Sequence, residues 1–345
     1  MDEYRGDAGH GKGAVTIHDE VGSQVGGHDT IYLKIASYRD ELCHVTLSDA
    51  FEKAAHPERL FVGVVEQNAE GDVPCLQTLD EVACDASSAS LLCKYGKQIR
   101  LYKQAARDAT GPIFARHVGD RMYRGEYYTL QTDAHMTFVK GWDIDVISQF
   151  KATNNDYAVL TTYPTDTEGA LDAQGRSRHF TTPVMCATTF TGDGMLRHGS
   201  AIEVRPMFGA SPILQPFWAA GFAFSRGHFI MNVPYDCCLP MMFQGEEIDI
   251  AVRSWTFGYD CYTPHNSVAF HPYHRKKRPP MFWENANKVR YIFTIRLKYK
   301  MLYIGLVRKP VVETLVFGYI TDCTGVGIVR YGTDANANAG DERHI

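Results

Sequence analysis

The chain lacks any apolar run near the ~20 residues that a bilayer-spanning helix requires. It lacks an excess of positive charge as well: 345 residues carry a formal net charge of −5, which gives nucleic acid no electrostatic claim as the main partner. The Gly/His/Asp-rich opening has no apolar centre of the signal-peptide kind, and a disordered tail is expected over residues 1–29. Nine cysteines are an odd number without the regular spacing of a disulfide scaffold. Cys75, Cys84 and Cys93 are evenly spaced, and Cys237 and Cys238 are adjacent, but neither set has zinc-site spacing. Mostly reduced thiols in a cytoplasmic protein are expected; a Golgi-lumenal form is the alternative if a leader is missing. No internal repeat is visible. The one basic run, His-Arg-Lys-Lys-Arg at 274–278, suits an acidic ligand or a solvated loop equally.

What is present is ordinary globular material: 45% hydrophobic and 22% charged residues, in a chain long enough for one large domain or two smaller ones. Residues 30–38 read as a central strand. A helical pattern follows, with Val45, Leu47, Ala50, Phe51 and Ala54 on its apolar side, stopped at His56-Pro57. Residues 60–65 then form a second strand, which completes a right-handed βαβ unit with parallel strands. An acidic, Cys-containing excursion over 68–95 leads to a short strand at 99–102. The spacing predicts helices from Pro112 to Met122 and over 142–150, with strands at 127–136 and 157–164. Residues 165–200, rich in Thr, Asp and Gly, read as a mobile loop. The pattern to residue 164 is α/β, and such folds bind ligands at the carboxyl ends of their strands. The ends at Ser37-Tyr38-Arg39, at Glu66 and at Asp133 are expected to meet at one crevice.

The stretch Leu-Gln-Thr-Asp-Ala-His-Met at 130–136 carries the most chemistry. In an extended strand residues i and i+2 share a face, so Asp133 and His135 can grip one ion together. A carboxylate oxygen and an imidazole nitrogen suit a borderline divalent cation such as Mn²⁺. Such an ion at a strand end would sit beside a bound diphosphate, the arrangement of nucleotide-sugar glycosyltransferases. An Asp-x-His pair is also common as a solvated strand end, so its surroundings decide the matter.

Those surroundings lie in the second half. Gln-Pro-Phe-Trp-Ala-Ala-Gly-Phe at 215–222 leads to Val-Pro-Tyr-Asp at 233–236. Gln-Gly-Glu-Glu at 244–247 then opens an amphipathic helix that runs to Trp255, and Phe-His-Pro-Tyr-His follows at 270–274. This order resembles the catalytic half of polypeptide glycosyltransferases with a GT-A fold, a mixed, mostly parallel sheet flanked by helices. It is distantly similar to the mucin-type N-acetylgalactosaminyltransferases. It is closer to the cytoplasmic enzymes that add N-acetylglucosamine to hydroxyproline on the SCF ubiquitin-ligase adaptor. The closer match rests on Ile-Ala-Ser-Tyr-Arg-Asp at 35–40, the Asp-x-His strand, Pro-Phe-Trp-Ala-Ala-Gly at 216–221, Val-Pro-Tyr-Asp, Gly-Glu-Glu and Phe-Trp-Glu at 282–284. It covers residues 30–285; no family motif is recognisable in 286–345, which read as a divergent segment.

The resemblance implies a retaining transfer from UDP-N-acetylglucosamine to a protein hydroxyl, with Mn²⁺ held by Asp133, His135 and His271. His271 enters by its similarity in position to the family's metal histidine, and His274 is the weaker candidate. Ser37, Tyr38 and Arg39 are expected to contact uridine or phosphate, although Arg39 reads equally as a surface residue. Arg116 is expected to hold the donor or to be a plain helix cation. Glu246 and Glu247 are stabilised at a helix N-terminus by the dipole; functionally, one of them would hold the sugar or take the acceptor proton, with Asp236 competing for that role. Trp218 and Trp255 read as core, with Trp218 also placed to line a sugar pocket. The partners implied are the UDP-sugar and a protein acceptor, with no nucleic acid and no membrane span. Alternatives are mucin-type Thr/Ser acceptors, an inactive homologue serving as a binding module, and a metal-dependent hydrolase. The hydrolase is disfavoured because a second carboxylate-rich motif is lacking.

Overall fold

The computed structural model describes residues 22–76, 94–179, 181–190, 196–204, 211–274 and 280–285. The basic run after His274, Cys84, Cys93 and residues 286–345 lie outside them.

Eight strands form one mixed sheet: β1 (Ile31–Tyr38), β2 (Leu60–Asn68), β3 (Ile99–Ala105), β4 (Tyr128–Asp133), β5 (Ala158–Thr161), β6 (Ile213–Leu214), β7 (Phe222–Arg226) and β8 (Asp260–Thr263). Their spatial order is β6-β8-β5-β7-β4-β1-β2-β3. β1 runs parallel to both β2 and β4, and β2 parallel to β3. β7 lies antiparallel between β4 and β5, while β8 is parallel to β5. The register aligns Ala36 with Asp133 and Ser37 with Glu66, so the first strands all end at one edge. Through β7, Gln131 and Thr161 both stand opposite Ala223, which brings the end of β5 to that same edge.

Helices cover both faces because the strands alternate what they present to each side. Ile31, Leu33 and Ile35 of β1 enter a core with Leu47 and Phe51 of α1 (Cys43–Lys53) and with Val146 and Phe150 of α3 (Trp142–Ala152). Each fully buried side chain of this size contributes roughly 1.5–3 kcal/mol. On the other face, Tyr32 and Lys34 meet Gly119 and Asp120 of α2 (Pro112–Arg121), the Tyr32 hydroxyl and the Lys34 ammonium each donating there. A second core joins Ile113 of α2 with Trp218, Tyr235 and Ile250, the last on α5 (Glu246–Thr256), which follows the short α4 (His228–Asn232).

Four expectations need correction. Residues 24–29 form a small antiparallel hairpin, although their composition reads as a tail. Val45 is exposed; Thr46 takes the inward place on α1, its hydroxyl donating to the carbonyls of Ala134 and Met136. Residues 165–200 contain strands, because Thr182–Val184 pairs with Ile202–Val204 and Thr188–Phe190 with Leu196–His198. The cysteines are not all reduced: Cys43 and Cys75 form a disulfide across 32 residues of sequence, and Cys186 is also disulfide-bonded. Cys43 and Cys75 come together because β1, α1 and β2 fold back on one another, a proximity that sequence spacing does not reveal. Cys237, Cys238 and Cys261 are free.

Candidate active site

A cleft of about 240 Å³ opens at the carboxyl edge of the sheet, lined by Arg116, Asp133, Tyr163, Glu246, Glu247 and His271 among others. Asp133 is the last residue of β4, and its carboxylate is aimed across Gly221, where an added Cβ would lie 3.0 Å from Oδ2. The backbone then turns away from the sheet, so His135 lies in a bend rather than on the strand. The two side chains do converge, through that bend and not through strand alternation. His271 arrives after the short strand Ala269–Phe270, fixed by its N–H to the Thr165 carbonyl at 3.0 Å.

His135 Nε2 and His271 Nε2 are 2.8 Å apart, and His271 Nε2 is 3.6 Å from Asp133 Oδ2. Asp40, the last residue of the 35–40 motif, takes the far side of the His135 ring, with Nδ1 and Oδ2 at 2.7 Å. That contact fixes a tautomer with the proton on Nδ1 and a lone pair on Nε2 pointing into the cluster. Two imidazole nitrogens this close require either a shared proton or a shared cation. The oxygen and two nitrogens lie within 4.8 Å of one another, a donor set that fits Mn²⁺ or a similar divalent cation.

Arg116 links this corner to the helix opposite. Its guanidinium donates to Asp133 Oδ1 at 3.0 Å and to Glu246. Burial opposes the charge on Arg116, but Glu246, Tyr235 and Asp133 outweigh it and keep the guanidinium firmly protonated. Burial likewise pushes the Asp133 carboxyl up, yet electrostatic attraction to His135, Arg116 and His271 prevails and holds it below the usual range.

Glu247 is different. Gly245, with φ of +96°, makes the turn into α5 that an L-side chain rarely adopts, and Glu246 and Glu247 diverge from there. Glu246 is buried on Arg116, whereas Glu247 accepts the Ala220 N–H at 2.9 Å and the Tyr163 hydroxyl. Burial pushes its carboxyl up to about 7, against the pull of those two donors. His198, 3.8 Å away, stays neutral because burial, then Arg197, depresses it to about 3.

Other expected site residues lie elsewhere. The Arg39 guanidinium is held by Asp72 at 2.7 and 3.0 Å, and Ser37 is buried with its hydroxyl unpartnered. Neither they nor Tyr38 line the cleft. Glu66 turns aside to accept the Cys75 N–H. Asp236 accepts the Cys238 N–H at 2.7 Å in a surface turn and is not among the residues lining the cleft. Trp218 is core, edge-on to Tyr235 and 1% exposed. His274 is exposed. Conversely Asp40, Tyr163, His198 and Tyr273 belong to the site without having been singled out. Tyr163 follows a strand, but only the antiparallel β7 between β4 and β5 brings that strand's end level with Asp133.

The architecture is that of GT-A glycosyltransferases. A solved structure titled GalNAc-T7 with UDP, GalNAc and Mn²⁺ superimposes with a TM-score of 0.54 at 14% identity, covering 84% of this chain and 52% of that one. TarS 1-349 of S. aureus in complex with UDP-GlcNAc gives a TM-score of 0.51 at 13% identity, covering 84% and 71%. The chain thus spans about half the length of the GalNAc-T7 chain. No curated protein matches it. The chain belongs to the GlcNAc glycosyltransferase family, whose model matches residues 30–333; the match continues well past residue 285, where recognisable motifs end.

Proposed function

We propose that the protein transfers N-acetylglucosamine from UDP-N-acetylglucosamine to a protein hydroxyl with retention of anomeric configuration. The observation that carries this reading is the convergence of Asp133, His135 and His271 beside Arg116 in a cleft whose opposite wall presents Glu247. A divalent cation held by those three residues would supply Lewis-acid neutralisation of the departing diphosphate. Arg116 adds a fixed positive charge at the same corner, oriented by Asp133 and Glu246. Glu246 serves as that anchor. Glu247, 24% exposed to the cleft, is placed to hold the sugar or to accept the acceptor's proton. The acceptor oxygen bonds to the anomeric carbon as the bond to the diphosphate breaks. Among the described residues no side chain is placed as a covalent nucleophile, which favours attack from the leaving-group face.

For the acceptor, family resemblance favours hydroxyproline of the SCF adaptor in the cytoplasm. The Cys43–Cys75 disulfide supports a second reading, because such bonds persist mainly in oxidising compartments. That reading is a Golgi-lumenal enzyme acting on Thr/Ser acceptors of the mucin type. The test is release of UDP from a panel of nucleotide sugars, with Mn²⁺ or with EDTA, followed by hydroxyproline and threonine peptides. Mn²⁺-dependent turnover of UDP-N-acetylglucosamine alone is expected. No turnover of any donor by folded protein would instead favour an inactive homologue.

A further inference from the structure

A second cluster of metal-ligating side chains lies at the other edge of the sheet. His28, His56 and Glu58 place their donor atoms within 4.8 Å of one another. The His28 and His56 rings stack with centroids 3.7 Å apart, and His56 Nδ1 is 3.2 Å from Glu58 Oε1. These residues flank the beginnings of β1 and β2, whereas the cleft lies at their ends. An eight-residue strand separates the two sites by roughly 25 Å.

Both halves of the cluster are held by rigid backbone. His28 follows a two-residue turn in which Gly26 and Gly27 have φ of +59° and +80°, the pattern of a tight hairpin. The hairpin is tied down by the Ser23 N–H to the Gly125 carbonyl, and Gln24 Nε2 donates to Asp29 across the hairpin itself. On the other side, buried Asp143 accepts the N–H groups of Ala55 and His56 at 2.7 and 3.1 Å and pairs with Arg59. Gln98 donates to the carbonyls of Pro57 and Leu60. Two separately anchored segments thus bring two imidazoles and a carboxylate together, with His56 and Glu58 still 31% and 47% exposed.

The geometry points to a structural divalent-cation site formed by His28, His56 and Glu58 that staples the N-terminal hairpin to the amino edge of the sheet. Two nitrogens and one oxygen suit Zn²⁺, with water completing a tetrahedron. Binding to the folded state alone stabilises that state by mass action. The loop around His56 is braced without the ion, so the expected effect is on the hairpin and the unfolding temperature rather than on formation of the sheet. The inference does not depend on the activity proposed for the cleft.

The test is the Zn²⁺ content and Zn²⁺-dependent thermal shift of the full chain, in parent, His135→Ala, His28→Ala and Glu58→Gln proteins. The His135→Ala protein, impaired only in the cleft, should keep one equivalent of Zn²⁺ and the upward shift. His28→Ala and Glu58→Gln should weaken that equivalent by about tenfold or more while unfolding normally without metal. His10 and His18 are unchanged in every variant, so a loss cannot be theirs. Should both variants bind and shift like the parent, no site exists there. Because Glu58 is exposed and Gln keeps its shape, a folding failure of His28→Ala would still leave the inference open to refutation by Glu58→Gln.

Discussion

The strand-end corner around Asp133 and the helix-start corner around Glu247 line the same cleft, yet they treat a carboxylate in opposite ways. Their side chains are almost equally exposed, 27% and 24%, and burial pushes both carboxyls up. What separates them is company. Asp133 faces Arg116, His135 and His271, which reverse the shift. Glu247 meets a neutral His198, a phenol and one N–H, and it remains raised at about 7 beside the charge of Glu246. Under the proposed function, one carboxylate would stay charged to hold a cation and the other would be poised for proton traffic near neutral pH, a division of labour set by surroundings rather than residue type.

The first corner breaks most completely by removing its ligands. Asp133→Ala or His271→Ala should lower Mn²⁺-dependent UDP release by about 10³-fold or more, because neutralisation of the leaving group is worth several kcal/mol. Circular dichroism should show an intact sheet, since His271 follows a two-stranded pair outside the eight-stranded sheet and both side chains are partly exposed. Full activity in either variant with added Mn²⁺ would remove that residue from the metal corner.

The second corner is next. Glu247→Gln keeps the shape and the Ala220 hydrogen bond but cannot exchange a proton; a loss of roughly 10²–10⁴-fold in turnover is expected. If Glu247 acts as the base, the parent's rate rises with pH through about 7, and the variant's profile is flat there. A variant that keeps the inflection would assign it to another group.

A milder change sharpens the contrast. Asp40→Asn preserves the oxygen that accepts the Leu42 N–H at 2.9 Å while weakening the acceptor for His135 Nδ1. Mn²⁺ affinity should fall roughly 10–100-fold, as for other outer partners of metal-binding histidines, and saturating Mn²⁺ should recover much of the rate. A change in maximal rate without a change in Mn²⁺ dependence would show that Asp40 acts otherwise.

The two corners also differ in how much of them could be read from sequence. The parallel βαβ start was legible because apolar runs bounded by helix stops have few competing folds. Asp133 and His135 were legible by spacing, and His271 by resemblance, though the bend that joins the first two was not. Arg116 and the Glu246-Glu247 pair were visible as a type and a helix start, but nothing in sequence said that Glu246 would be spent on Arg116. Tyr163 and His198 were hidden, since β7 inserted antiparallel between β4 and β5 is what brings the end of β5 level with Asp133. The 196–198 strand lay in a region whose composition reads as loop. Arg39 misled because its acidic partner, Asp72, approaches only through the turn after β2.

The smallest expected effect is thermodynamic and concerns Glu247 alone. Its folded pKa, about 7, lies above the ordinary glutamate value of 4.5. Between those values the unfolded chain has released the proton while the folded protein still holds it, so the unfolded state binds fewer protons and stability declines as pH rises. The decline is complete above about 7 and absent below 4.5. Asp133 has the opposite sign: its depressed carboxyl contributes stability at neutral pH that is lost in acid, as pH falls from the ordinary value of 3.8 through the folded one. Urea unfolding of parent and Glu247→Gln proteins from pH 5 to 8 should therefore give curves that diverge upward in pH, the variant gaining relative stability. Parallel curves would mean that Glu247 is ionised throughout, and the two corners would then no longer differ in the charge they keep.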